Sequence, residues 1–364
     1  MAVQVKQSIE LLINNIRNLI SVDAKKLEYI IAAQIAGGHV ILADSHGVGK
    51  TSLARALAAS IKWRPEDLAT VSDAALETKV EDSSTKSSRS KKVRSGASGS
   101  SGNKKDEVKM EGFSRIQCTV DLLPQDILGF NRFIGHSGEM IFNKGPVFAH
   151  FVLCDEINLL TPKTQGSFFQ VMEEQSITIE GKLYRLKDPF FIIATMNLKG
   201  VHLFPLPTPQ LDRFMIRLSL GYPSAEDETK IINQHGKIDA WDNFKSVIDS
   251  ADLIRWKKMV DDVQMHPDVT SYLVNCVRFT RIHPDIETPA SPRAGVRISR
   301  LAKSLALCRG MDYVPIDIIK EVFISAMAHR IITRDPSIPP ETPLQSILTS
   351  APVEPVALVL KQDQ

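Results

Sequence analysis

Apolar residues recur at two different spacings along this chain, and the change of spacing divides it. Between residues 5 and 36, Ile9, Leu12, Ile13, Ile16 and Leu19 form one stripe at helical period. Ser21-Val22-Asp23 interrupts the stripe, and residues 27–36 resume it. The pattern predicts two helices with a cap near Val22-Asp23. The apolar run 40–43 is too short for a helix and reads as a buried strand. A glycine-containing turn follows, and then Leu53, Ala54, Leu57, Ala58 and Ile61 return to helical spacing. Strands are expected over residues 115–119, 148–154, 190–195 and 214–220, with a helix over 164–174. Two hairpins are expected as well. One turns through Gly135-His136-Ser137-Gly138 between the apolar pieces 128–133 and 140–142. The other turns through Glu180-Gly181-Lys182 between 177–179 and 183–184. From Ala225 onward the helical period stands alone, for example over 272–279, 299–307 and 315–327. Alternation followed by helices alone predicts an α/β domain and then an all-α domain, with the boundary near Tyr222-Pro223-Ser224.

One interval fits neither spacing. Residues 83–105 are rich in Ser, Gly and Lys, with almost no large apolar side chain. Such a segment cannot bury enough surface to offset its ordering entropy, so a disordered insertion is expected over about 81–111. Its basic run, Ser90-Lys91-Lys92-Val93-Arg94, reads as part of a solvated insertion rather than a nucleic-acid patch. A connection from the first core helix to the next parallel strand lies opposite the strands' carboxyl ends. The insertion is therefore expected on the side away from a ligand crevice.

Composition narrows the classes. The 364 residues are 43% hydrophobic and 24% charged, ordinary values for a globular protein, and long enough for two domains. A net charge of +2 argues against a dominant nucleic-acid surface, and 3 tryptophans with 5 tyrosines offer no stacking platform. Cys118, Cys154, Cys276 and Cys308 lack any C-x-x-C spacing and are expected to be buried thiols in a reducing compartment. The start of the chain lacks the apolar core of a signal peptide, and no apolar run reaches the ~20 residues of a membrane span. The expected location is the cytoplasm. His266-Pro267-Asp268 and His283-Pro284-Asp285 echo each other and read as helix-boundary turns.

The chemistry begins in the turn after residues 40–43. Ser45, His46, Gly47, Val48, Gly49, Lys50, Thr51 and Ser52 lie between a strand and a helix, where a phosphate-binding loop belongs. Glycines let backbone N–H groups close round phosphate oxygens, and the helix N-terminus adds donors and the positive dipole end. Lys50 would reach the β- and γ-phosphates and Thr51 would place its hydroxyl on Mg²⁺. The loop pattern G-x-x-x-x-G-K-[ST] has Asp44 in place of its first glycine. That carboxylate is either tolerated where the strand leaves the sheet, or set near the phosphates, where it weakens binding. A second constellation ends the run 148–154. Asp155 is placed to hold Mg²⁺ through water, and Glu156 to orient or deprotonate an attacking water. Asn197 follows another strand and would face the same crevice, as a water-holding group or as a turn residue. Arg213 and Arg293 are candidate cations for the γ-phosphate, or structural ion pairs.

Eight motifs stand together in order. They are Gly47-Val48-Gly49-Lys50-Thr51, Asp121-Leu122-Leu123-Pro124, Gly145-Pro146-Val147-Phe148, Asp155-Glu156-Ile157-Asn158, Pro162-Lys163-Thr164-Gln165, Ala194-Thr195-Met196-Asn197, Gln210-Leu211-Asp212-Arg213-Phe214 and Ala290-Ser291-Pro292-Arg293-Ala294. With this set the chain resembles the MoxR-type AAA+ ATPases from about residue 8 to residue 332, the insertion apart. The resemblance implies a P-loop NTPase αβα core with a parallel sheet, followed by a small all-α lid. The divisions it suggests are a helical lead-in over 1–36, the ATPase core over 37–222, the lid over 223–335 and a C-terminal tail over 336–364. It further implies ATP and Mg²⁺ as ligands and a ring, commonly a hexamer, with nucleotide at the subunit interface. Asp155 and Glu156 would be the Walker B pair, Asn197 sensor 1, Arg213 the arginine finger and Arg293 sensor 2. The first hairpin would be the helix-2 insert and the second the pre-sensor insert. Family members remodel or mature other protein complexes, often with a partner bearing a von Willebrand factor A domain. Three other readings stand beside this one: a nucleotide-responsive scaffold with weak hydrolysis, motivated by Asp44; a nucleic-acid-remodelling motor, motivated by the basic run; and a magnesium-chelatase-like subunit.

Overall fold

The computed structural model describes residues 2–44, 47–68, 108–134, 139–197, 204–234, 241 and 244–352. Two amphipathic helices open the chain, α1 (Ala2–Leu19) and α2 (Ala24–Ile35). Asp23 caps the second, accepting a hydrogen bond from Lys26 N at 2.9 Å. There follow β1 (Val40–Ala43), α3 (Lys50–Ala59), β2 (Ile61–Lys62), β3 (Glu111–Gln117), α4 (Pro124–Leu128), β4 (Gly129–Ile134) and β5 (Glu139–Lys144). The middle of the chain forms β6 (Ala149–Asp155), α5 (Pro162–Glu174), β7 (Ser176–Ile179), β8 (Lys182–Arg185), β9 (Phe191–Met196), α6 (Thr208–Leu211) and β10 (Ile216–Leu218). The remainder is mostly helical: α7 (Ala225–Gln234), β11 (Ile248–Asp249), α8 (Ser250–Asp262), α9 (Pro267–Phe279), β12 (Ile286–Thr288), α10 (Pro292–Cys308), α11 (Ile316–Met327), β13 (Ile332–Thr333) and α12 (Glu341–Ser350).

Five strands form one sheet in the order β10-β1-β9-β6-β3, and every neighbouring pair is parallel. A parallel sheet is covered on both faces, so its strands read as continuous apolar runs. Alternate residues then serve two cores. Val40, Leu42, Leu153 and Ile193 face one, built with α1, α2, α3 and the C-terminal helices. Ile41, Val152, Cys154 and Ile192 face the other, built with α5 and the hairpins. The expected hairpins are β4–β5 and β7–β8, joined by Asn131 Nδ2 donating to Glu180 Oε2 at 2.7 Å. The turn 135–138 lies outside the described residues.

The helices after Ala225 do not stand apart. Those of the C-terminal part pack on α1 and α2 in a single apolar cluster. Ser304 Oγ donates to Ala32 O at 2.7 Å, and Arg309 pairs with Glu28 and Glu321 at 2.8 Å each. All four cysteines are buried free thiols.

Several boundaries differ from expectation, among them β3, which spans Glu111–Gln117 in place of 115–119. Val108 and Met110 are buried and β3 begins at Glu111, so the expected insertion does not extend to 111. Its remainder, with the basic run 91–94, lies outside the described residues, as does the question of which side it occupies. The strand expected over 214–220 shortens to Ile216–Leu218. The stretch read as a tail from 336 carries α12, whose Leu344 and Ile347 are buried and whose Glu341 pairs with Arg217 at 2.7 Å. Residues 353–364 lie outside the described residues.

Candidate functional site

The carboxyl ends of β1, β3, β6 and β9 open onto one cleft of about 360 Å³, lined by Gly47, Lys50, Thr51, Asp155, Glu156 and Thr195 among others. This is the ligand side of a parallel sheet. Gly47 has φ 82° and Gly49 φ 83°, and a Cβ at either would meet no atom within 4 Å. Glycine is therefore required there for backbone conformation rather than for space. Gly49 delivers the chain into α3, whose first N–H groups have no partner within the helix. Ser45 and His46 lie outside the described residues. Val48 is buried, and Ser52 lines the cleft.

Asp155 is the hub. Its Oδ2 accepts from Thr51 Oγ1 at 3.1 Å and from Arg115 Nε at 2.8 Å, and its Oδ1 accepts from Thr195 Oγ1 at 3.1 Å. The Thr195 oxygen in turn accepts from the Glu156 N–H at 2.8 Å. Glu156 holds φ 59° and ψ 52°, a left-handed conformation uncommon for a residue with a Cβ. Backbone held so, at a strand's carboxyl end, stores strain that the Thr195 bond helps to fix. Lys50 Nζ donates to Asp44 O at 2.9 Å. Burial lowers the Lys50 pKa, opposed by the charges of Asp44, Asp155 and Glu156.

Asp44 does not face the cleft with its carboxylate. Oδ1 accepts from Ser219 Oγ at 2.6 Å and from Gly221 N at 3.3 Å, and Oδ2 accepts from Leu220 N at 2.7 Å. The side chain staples the end of β1 to the chain leaving β10. The carboxylate is thus bonded away from the loop, while its charge still reaches Lys50.

A second cavity of about 710 Å³ adjoins the first and shares Gly49 with it. Its walls come from the α1–α2 connection, including Asn18 and Ile20, from Leu53, and from residues 220–224. The two cavities meet at Gly49, the smaller lined by Lys50, Asp155 and Glu156 and the larger lying beyond the loop.

Asn197 follows β9, and its carbonyl accepts from Asn158 Nδ2 at 2.8 Å. Arg213 and Arg293 do not line the cleft. Arg213 donates to Phe169 O at 2.7 Å and pairs with Glu173 Oε2 at 3.0 Å. Arg293, at the start of α10, pairs with Glu173 Oε1 at 2.8 Å. The two candidate cations thus meet on one carboxylate of α5. Their surroundings mix charges, with Arg297 within electrostatic reach of Arg293, Glu173 and Asp212. Arg115 and Thr195 join the site beyond the residues expected from the sequence. The alternation Arg115-x-Gln117 on an edge strand was the available signal for the first, and a threonine inside an apolar strand for the second.

Thr51 Oγ1 and Asp155 supply one hydroxyl and one carboxylate to the same point. No cluster of three or more His, Cys, Asp or Glu side chains among the described residues is arranged to hold a metal. That donor set fits Mg²⁺, which is usually held by one or two carboxylates together with substrate phosphates and water. No helix among the described residues is long and apolar enough to cross a membrane.

Residues 104–216 match the family described as ATPase family associated with various cellular activities (AAA), and residues 278–350 match the AAA lid domain. The first match runs from before β3 to the first residue of β10 and leaves the glycine loop outside it. The chain is 32% identical over 332 residues to the uncharacterized protein YeaC of Bacillus subtilis, covering 91% of this chain and 87% of that one. It is 35% identical over 265 residues to chaperone MoxR1 of Mycobacterium tuberculosis, covering 69% and 70%. It is 21% identical over 331 residues to protein MoxR of Methylorubrum extorquens, covering 84% and 82%. In fold it is similar to the crystal structure of a candidate ATPase from Cytophaga hutchinsonii, with a TM-score of 0.77 at 24% identity over 97% of each chain.

Proposed function

Because the chain belongs to the MoxR-type AAA+ ATPases, we propose that it works as an assembled ring, commonly of six copies, in which one protomer's cleft is completed by arginines of the next. One observation carries the reading. The phosphate cleft gathers Lys50, Thr51, Asp155 and Glu156, yet Arg213 and Arg293 are pinned together on Glu173 and line no part of it. Phosphoryl transfer depends on positioning and on cations that meet the developing charge. A cationic pair held away from its own cleft suits delivery to a neighbour's.

The loop 47–52 binds the phosphates and Lys50 reaches the β- and γ-groups. The base and ribose occupy the larger cavity beside Gly49. Thr51 and Asp155 would hold Mg²⁺, which would supply positive charge to the phosphates. Glu156 orients the attacking water and takes its proton, and Asn197 holds that water from the end of β9. Arg213 stabilises the transition state from the neighbouring copy, with Arg293 beside it. Turnover then remodels or matures a client protein complex, the role suggested by the chaperone named among the relatives, with a von Willebrand factor A domain protein as the expected partner. The Asp44 carboxylate that motivates the scaffold reading is bonded to Ser219, Leu220 and Gly221.

The test is steady-state ATP hydrolysis across a range of protein concentrations. Specific activity is expected to rise as copies assemble, and to stop rising in Arg213→Ala. Equal specific activity for monomer and assembly would rule out the shared site.

A further inference from the structure

Asp212 directly precedes Arg213, and both of its carboxylate oxygens are held by residues of the C-terminal helical region. Oδ1 accepts from Arg330 Nε at 2.8 Å, and Oδ2 from Ser291 Oγ at 3.1 Å. Arg330 is 2% exposed. Its guanidinium also donates to the carbonyls of Asp212 at 3.4 Å and Met215 at 3.3 Å, and to those of Phe214 and Ala326. One buried side chain thus holds both sides of Arg213. The Met215 N–H continues the tie, donating to His39 O at 2.8 Å just before β1.

An ion pair whose guanidinium is almost wholly out of water is an expensive way to fill space. Apolar residues of similar volume often do so with equal or better stability. A forked guanidinium adds direction, since its planar donors fix the orientation of every oxygen they meet. Burial pulls the Arg330 pKa down to about 10 and Asp212 opposes this, so the cation persists at neutral pH. Arg330 lines neither cavity of the nucleotide site. What it orients is the turn that carries Arg213.

We propose that Arg330 and Ser291 are positioning residues for Arg213: they hold the turn 212–215 and so tie the aim of this arginine to the placement of the helical region. The inference rests on the reading of Arg213 as the cation supplied to a neighbouring copy. It goes further by making that supply depend on the supplying copy's own lid. A shift of α10 and α11 against the sheet moves Arg213 with it.

The experiment mixes variants of the full chain and measures ATP hydrolysis, ATP affinity and the unfolding midpoint. Glu156→Gln keeps Arg213 but lacks the general base. Arg330→Lys keeps the cleft and a charge but loses the forked donors. Alone, Arg330→Lys is expected to lose about ten- to a hundredfold in kcat, as for a misplaced group, with KM for ATP unchanged. Ser291→Ala removes one hydrogen bond and is expected to lose about two- to tenfold. Mixed with Glu156→Gln, both are expected to regain activity, because the intact Arg213 of one copy serves the intact cleft of the other. A merely structural role predicts no regain, and a fall in ATP affinity and unfolding midpoint together. The control mixes Arg213→Ala with Glu156→Gln. If that control fails, the shared-site reading falls and this inference with it. If the control regains activity while Arg330→Lys does not, the positioning role is overturned. Should Arg330→Lys not fold, Ser291→Ala decides: an unchanged kcat in the assembled protein overturns the proposal.

Discussion

The carboxylate of Asp44 accepts a hydrogen bond from Ser219 Oγ at 2.6 Å, across 175 residues of chain. This contact explains why an acidic residue stands where the loop pattern has glycine. It also reverses the effect that restoring the glycine would suggest. Asp44→Gly deprives Ser219, Leu220 and Gly221 of their acceptor. The expected outcome is a loss of about 1–3 kcal/mol in unfolding free energy, with no gain in ATP affinity. Urea unfolding and titration calorimetry with ATP check both halves.

Glu156 combines a reacting carboxylate with a left-handed backbone. Glu156→Gln removes the base and leaves the strain. It is expected to bind ATP and not hydrolyse it. Glu156→Gly removes both, and should be about 1 kcal/mol more stable while equally inactive. Comparing the unfolding midpoints of the two variants separates the backbone contribution from the chemistry. Wild-type turnover in Glu156→Gln would show that its assigned role is wrong.

Lys50 and Arg213 should fail differently. Lys50→Ala is expected to abolish nucleotide binding. Arg213→Ala is expected to bind ATP normally and lose about 10³-fold in turnover. Equilibrium binding of a fluorescent ATP analogue, measured beside hydrolysis, distinguishes the two.

His39 carries the clearest pH dependence. It is wholly buried, with Nε2 against Met172 O at 3.0 Å and Nδ1 accepting from Ile192 N at 3.1 Å. The neutral ring with its proton on Nε2 satisfies both contacts. Burial lowers its pKa from 6.5 to about 4, opposed by the Met172 contact and assisted by Arg297 and Lys257. Between these values the unfolded chain binds the proton and the folded one does not. Stability is therefore expected to fall as pH drops from 6.5 towards 4, with a slope approaching about 1.4 kcal/mol per pH unit. His39→Gln should flatten that part of the curve in unfolding experiments run at several pH values.

Local signals carried much of this structure. The strand–loop–helix of 40–61 is legible because apolar spacing and paired glycines act over a few residues. The adjacent Asp155 and Glu156 are legible for the same reason, since they end an apolar strand. Contacts that span the chain are not. Nothing near Asp44 announces Ser219, and nothing near Arg330 announces Asp212. Val108 and Met110 are two apolar residues among charged neighbours, buried only because the sheet edge receives them. α12 carries Pro343 and several hydroxyl residues, a poor helix former by propensity, and it owes its form to Leu344 and Ile347 packing on the rest. Arg293 shows the same limit. Its motif is plain, but its meeting with Arg213 on Glu173 depends on tertiary packing.

The apolar cluster that unites α1 and α2 with α8–α12 bears on how the molecule is made. The ribosome releases the first two helices long before it has synthesised their packing partners. Ser304 meets Ala32 across 272 residues, and Arg309 meets Glu28 across 281. Until those late helices emerge, the greasy faces of the early ones are covered only in part, by each other, α3 and the sheet. Completion must therefore wait for the late helices, and a nascent chain stalled before α10 would be a natural target for cellular quality control.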